Sequence, residues 1–258
     1  MILIKNEDCF DTMKNMDKQV DLILTSPPYN TGRPSNGERA RNNREGRYDI
    51  YIDNMSQNDY CQWCIKVFNE YNNILKENGV ILWNMSYGSD GSVNTEGIGL
   101  MWLVIADIIR NTPFTVADRI IWKKGSALPN NTSSNKLTRI VEDVFVFCRK
   151  KEYKTFKTNK KVKSVSSRGQ KFYENIFNFV QAKNNDGSNP LNKATFSTDL
   201  CLQLFDIYIP KDNNILVYDS FAGTCTTALA CKKYGVSCIC SELSKEQCEY
   251  GEKRLKND

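Results

Sequence analysis

The stretch "ILVYDSFAGTCTTALA", residues 215–230, sets the fold class. An apolar run closes on Asp219, a short loop carries Gly223, and a helical pattern begins at Thr224 to Thr226. This is a strand, a tight turn and a helix in sequence. A glycine in such a turn lets a ligand approach the backbone, and the helix's first N–H groups can hold a carboxylate. One strand later, "VSCICSE" (236–242) ends near Glu242, an acid placed to accept bonds from ribose hydroxyls. Asp219, Gly223 and Glu242 in that order point to a nucleotide-like ligand.

On either side of this stretch, strand-like runs recur at 2–4, 20–25, 79–84, 114–122, 144–148 and 214–219. Helical periodicity falls between several of them, at 60–75, 101–109, 198–209, 224–233 and 244–255. Buried strands alternating with amphipathic helices predict an α/β fold with a mostly parallel sheet covered on both faces. Ligands of such sheets bind beyond the carboxyl ends of the strands.

The 258 residues, 40% of them hydrophobic, can bury a core without disulfides or metal, and the net charge of +5 is mild. Residues 1–10 lack the basic start and apolar run of a signal peptide, so the ten cysteines are expected reduced and the protein cytoplasmic. The pairs Cys61/Cys64 and Cys238/Cys240 are better core residues than zinc ligands, since histidine is absent and Cys61/Cys64 fall within a helical pattern. The longest apolar run, "MWLVIADIIR", is broken by Asp107 and is too short to span a bilayer.

At 21–30 the chain reads "DLILTSPPYN". Two prolines end the strand and stiffen the backbone beyond it. The main-chain carbonyls of Ser26 and Pro27 are then held at the sheet's carboxyl edge beside the ring of Tyr29. Rigid acceptors beside an aromatic suit a flat base bearing an exocyclic amino group. They take its hydrogens and free the nitrogen lone pair, while Tyr29 stacks on the base. A proline-stiffened turn with Tyr29 merely packing is the alternative.

Two regions break the α/β pattern. Residues 30–49 are polar and carry Arg33, Arg39, Arg41, Arg44 and Arg47. Residues 149–171 carry Lys154, Lys157, Lys160, Lys161, Lys163 and Arg168, with Tyr153 and Phe156 among them. Each alone reads as a solvated loop; beside a base-binding corner each reads as a DNA clamp.

"TSPPYN" followed much later by "DSFAGTCTTALA" resembles the beta-class amino-group DNA methyltransferases, in which the catalytic motif precedes the S-adenosylmethionine motif. "IKNEDCFDTM", "RIIWKK", "RIVEDVFVFCRK" and "NKATFS" (192–197) extend the resemblance over nearly the whole chain. It implies a Rossmann-like methyltransferase fold and S-adenosylmethionine as cofactor. Ser26, Pro27, Pro28 and Tyr29 would be catalytic. Asp8, Cys9, Thr195, Phe196, Asp219, Phe221, Gly223 and Glu242 would hold the cofactor, with Asp8 meeting the adenine and Thr195 and Phe196 near the methionine end. It divides the chain into a catalytic half (1–148), a target-recognition insert (149–190) and a cofactor half (191–258).

The implied reaction is flipping of a base from duplex DNA and direct methyl transfer to its amino group, with no metal and no covalent enzyme intermediate. Ser-Pro-Pro-Tyr favours cytosine N4 and leaves adenine N6 open. A homodimer and a cognate restriction endonuclease are further partners the resemblance leaves open. Two other readings remain: a protein- or RNA-directed methyltransferase, and a catalytically inactive DNA-binding homologue. The chain departs from the family at Ser220, where proline is usual, at 192–193, where His-Pro is usual, and at Cys225, where glycine is usual. If position 225 needs a positive φ, its side chain costs about 1–2 kcal/mol.

Overall fold

A computed structural model describes residues 1–17, 19–30, 55–86, 99–127, 129, 131, 134–135, 137–187, 191, 195–211 and 214–257. Its first half comprises β1 (Ile2–Lys5), α1 (Cys9–Lys14), β2 (Val20–Thr25), α2 (Gln57–Ile74), β3 (Leu75–Met85), α3 (Gly99–Asn111), β4 (Phe114–Lys124) and β5 (Val141–Arg149). There follow β6 (Val162–Val165), β7 (Lys171–Tyr173), β8 (Phe179–Ala182), α4 (Thr198–Tyr208), β9 (Leu216–Asp219), α5 (Thr226–Tyr234), β10 (Ser237–Ser241) and α6 (Lys245–Asn257).

Eight strands form one sheet in the order β1-β10-β9-β2-β3-β5-β4-β8. All pairings are parallel except those of β5, which runs against both neighbours. The apolar runs of β2 and β3 supply both faces by alternation. Leu22, Leu24, Val80 and Leu82 pack with Leu200, Leu204 and Phe205 of α4 and Ala228 and Cys231 of α5. Ile23, Ile81 and Trp83 face the other way, against Phe68 and Tyr71 of α2 and Val104 and Ile108 of α3. Both layers are dry, which is why these strands read as continuous hydrophobic runs.

The chain winds outward in one direction from β2 through β3 and in the other from β9 through β10. β2 and β9 are paired neighbours, with Leu22 opposite Val217 and Ile23 opposite Tyr218. Their carboxyl ends thus flank the point where the winding reverses, the place where open α/β sheets open a crevice.

The 149–190 segment splits between two structures. β8 extends the main sheet beside β4, whereas β6 and β7 pair only with each other. Its root is fastened by Arg149, which is buried. The guanidinium donates to Asn72 Oδ1 at 2.7 Å and to the carbonyls of Leu75 at 2.6 Å and Lys76 at 2.8 Å. It also pairs with buried Glu152 at 3.3 Å. Among the described residues no helix is long and apolar enough to cross a membrane.

Candidate active site

The two motifs, far apart in sequence, are joined by hydrogen bonds at that central crevice. Thr25, the last residue of β2, donates its hydroxyl to Asp219 Oδ1 at 2.7 Å. Asp219, the last residue of β9, also accepts from the Thr227 hydroxyl at 2.5 Å and the Phe221 amide at 3.1 Å. Burial pushes its pKa above the usual carboxylate value, opposed by these bonds. Asp219 thereby braces the β9–α5 turn against the strand that carries Ser26.

A cavity of about 180 Å³ opens there, lined by Ser26, Pro28 and Tyr29 on one side and by Asp219, Phe221, Gly223 and Glu242 on the other. Asp8, Cys9, Thr195 and Phe196 complete the residues expected from the sequence; Pro27 is buried and is not in the lining. Contributors that the sequence does not single out include Trp63, Thr226, Leu243 and Ser244. By sequence, Trp63 is one member of a helical apolar stripe. Its ring lies 5.3 Å from that of Phe221, and together they make an apolar wall.

Glu242 closes the floor. Its Oε2 accepts from the Gly223 amide at 2.7 Å and its Oε1 from the Ser244 amide at 2.9 Å. Gly223 has φ 52°, a conformation that glycine adopts without penalty. Asp8 caps α1 by accepting from the Phe10 amide at 2.8 Å. An aromatic wall, a carboxylate held by main-chain amides and a left-handed glycine before a helix start fit a nucleoside carrying a polar tail.

Cys225 does stand at a left-handed position, with φ 62° and ψ 40°. Its side chain finds room beside Gly251 of α6, where an added Cβ would lie 2.5 Å from the Cys225 sulfur and 2.8 Å from its Cβ, while the cost of the left-handed backbone remains. The thiol is buried there, and its hydrogen bond with Cys240 together with burial raises its pKa. All ten cysteines are buried and unbridged.

At the catalytic corner the prolines hold Tyr29 inward. The Tyr60 hydroxyl donates to the Pro28 carbonyl at 2.5 Å, pinning the segment to α2. The Tyr29 hydroxyl lies 2.6 Å from Ser26 Oγ and donates to Asn84 Oδ1 at 2.8 Å. Asn84 ends an otherwise apolar run in β3, a signal that its sequence position alone offered.

Of the two basic regions, Arg33, Arg39, Arg41, Arg44 and Arg47 lie outside the described residues. Lys154, Lys157, Lys160, Lys161, Lys163 and Arg168 lie within them, and the last four sit on or beside the β6–β7 hairpin. All six of these side chains are exposed. The Ser166–Gln170 turn of the hairpin is closed by the Ser166 amide donating to the Gln170 carbonyl at 2.9 Å, and it carries Gly169 at φ 77°. Phe172 and Tyr173 are about half exposed beside it, at 48% and 51%.

Comparison with known proteins gives a consistent result. The sequence model of the N6/N4 methyltransferase family, described as DNA methylase, matches residues 20–253. The type II methyltransferase M.BglII of Bacillus subtilis is 22% identical over 261 residues, covering 94% of this chain and 66% of the relative. M.HinfI of Haemophilus influenzae is 24% identical over 258 residues, covering 96% of this chain and 67% of the relative. The chain thus spans about two thirds of the length of these curated relatives. Among solved structures, the cytosine-N4-specific PvuII DNA methyltransferase superposes with a TM-score of 0.72 at 18% identity, over 98% of this chain and 86% of that one. M1.HpyAVI in complex with SAM gives 0.59 at 20% identity, over 99% of both chains.

Proposed function

The chain belongs to the N6/N4 DNA methylase family, and from that premise we propose that it is an S-adenosylmethionine-dependent enzyme that methylates the exocyclic amino group of cytosine in duplex DNA, at N4. The observation that carries this reading is the cavity shared by Ser26, Pro28 and Tyr29 with Gly223 and Glu242.

The cofactor residues fit their ligand chemically. Glu242 is the acid that would accept from the ribose hydroxyls, Trp63 and Phe221 would offer an apolar wall to the adenine, and Thr195 and Phe196 would lie near the polar tail. Bound there, S-adenosylmethionine supplies a methyl group already activated on a sulfonium. The chain's own task is positioning, and fixed dipoles and geometry supply most of the rate. The target base leaves the stack, enters beside Tyr29 and presents its amino hydrogens to the oxygens of Ser26, which lines the cavity. Its nitrogen lone pair is then free to point across the cavity.

Cytosine is favoured because Ser-Pro-Pro-Tyr resembles the motif of cytosine-N4 enzymes, whereas aspartate at the first position is commoner among adenine-N6 enzymes, and a solved neighbour is cytosine-N4-specific. The exposed lysines and Arg168 of the β6–β7 hairpin form a target-recognition insert, holding phosphates and reading base edges. Incubation with unmethylated genomic DNA and cofactor, followed by digestion to nucleosides, tests the proposal. N4-methylcytosine is the expected product. N6-methyladenine would overturn the choice of base, and unmodified DNA the enzyme itself.

A further inference from the structure

We infer that Asn84 fixes the direction of the hydrogen bonds that run from it through Tyr29 to Ser26, so that the Ser26 hydroxyl oxygen meets the target amino group only as an acceptor. The ordering begins at a backbone carbonyl. Asp143 O can only accept, and Asn84 Nδ2 donates to it at 3.2 Å. The amide of Asn84 is therefore oriented with Oδ1 toward Tyr29, because a flipped amide would set two acceptors against each other. β5 holds that carbonyl in place through its ladder with β3, where Met85 faces Asp143 and Asn84 faces Val144. The Asp143 side chain is itself fixed by Arg119 at 2.8 Å.

A phenol has one proton. Tyr29 gives it to Asn84 Oδ1 at 2.8 Å, so toward Ser26 its oxygen is an acceptor. Ser26 and Tyr29 oxygens are 2.6 Å apart, which requires a proton between them, and only the serine can provide it. The Ser26 hydrogen is thus committed away from the cavity that Ser26 lines, and its lone pairs remain for the substrate. This matters because a serine free to rotate could donate to the amino nitrogen and occupy the lone pair that must attack. Asn84, buried and acting through Tyr29, is a positioning residue that makes a neutral hydroxyl behave as a carboxylate would.

The inference rests on the reading of Ser26 as a substrate acceptor, and the test separates the two. Steady-state methylation of duplex DNA is measured for the wild type, Ser26→Ala, Tyr29→Phe, Asn84→Leu and the Tyr29→Phe/Asn84→Leu pair, with cofactor affinity and melting temperature for each. Tyr29→Phe and Asn84→Leu are each expected to lower kcat by about 10–100-fold, with KM for DNA and cofactor Kd within about twofold of wild type. The pair should be no worse than either single change, since both act in series through one hydroxyl. Tyr29→Phe keeps the ring, so it reads the hydroxyl even if Asn84→Leu folds poorly. Wild-type kcat in Tyr29→Phe, with Ser26→Ala impaired, overturns the inference and leaves the Ser26 assignment standing. Losses that multiply in the pair overturn it as well. Wild-type turnover in Ser26→Ala removes the reading on which it rests.

Discussion

The β9–α5 turn, for which we propose cofactor binding, and the β6–β7 hairpin, for which we propose DNA binding, are built by opposite means. In the turn, Asp219, Ser220, Thr224 and Cys225 are buried, and Asp219 and Glu242 each bind main-chain amides across it. In the hairpin every strand residue is exposed, and the ladder closes only on itself. A small ligand of fixed shape favours a turn that is finished before it arrives. A long polyanion asks mainly for positive charge within reach, and an exposed ribbon with lysines provides that with little supporting structure.

The difference can be tested, and the largest effect belongs to the turn. Replacing Asp219 with alanine strands the donors of Thr25, Thr227 and Phe221, so urea denaturation should register a loss of about 3 kcal/mol or more. Stability equal to wild type would mean the turn is not braced as described. Next comes Gly251→Ala, whose new methyl would press on the Cys225 sulfur. We expect a loss of about 1–3 kcal/mol by thermal melting, largely recovered when Cys225→Gly is added. Additive losses in the pair would separate the two positions. Turnover should fall in Tyr29→Ala, which removes the base-stacking surface, by about 1–3 kcal/mol in kcat/KM for DNA; an unchanged value would move the base elsewhere. Smallest in stability are the hairpin changes. Alanine at Lys160, Lys161 and Lys163 should leave the melting free energy within about 0.5 kcal/mol. DNA binding should nonetheless weaken, and the slope of log K against log salt should flatten by about 0.9 for each phosphate no longer neutralised. An unchanged slope would take the hairpin off the DNA.

The fold was legible because burial on both faces leaves short apolar runs in β2, β3, β5 and β9, such as Leu-Ile-Leu at 22–24 and Val-Ile-Leu-Trp at 80–83, which the order of residues exposes. Short elements were not: α1 has six residues, and β6, β7 and β8 have too few to show a period. The cavity was legible where backbone constraint demands a residue type, as at Gly223 and the prolines after Ser26. Trp63 escaped because a helical stripe places an aromatic equally well in a core or at a pocket wall. Asn84 escaped because its role depends on the Asp143 carbonyl of a strand 59 positions away, a partner that only pairing register reveals. The room for the Cys225 side chain was invisible for the same reason, since nothing in the order of residues connects it with Gly251.

The edge pairing of β1 with β10 sets Ile2 beside Cys238 and Lys5 beside Ser241. β1 must therefore wait for β10, made more than 200 residues later, and that closure carries the entropic delay of bringing distant segments together. Glu242 comes directly after, its amide held by the carbonyl of Lys5 at 3.0 Å. A growing chain thus presents Ser-Pro-Pro-Tyr long before it owns Glu242, the acid that lines the same pocket.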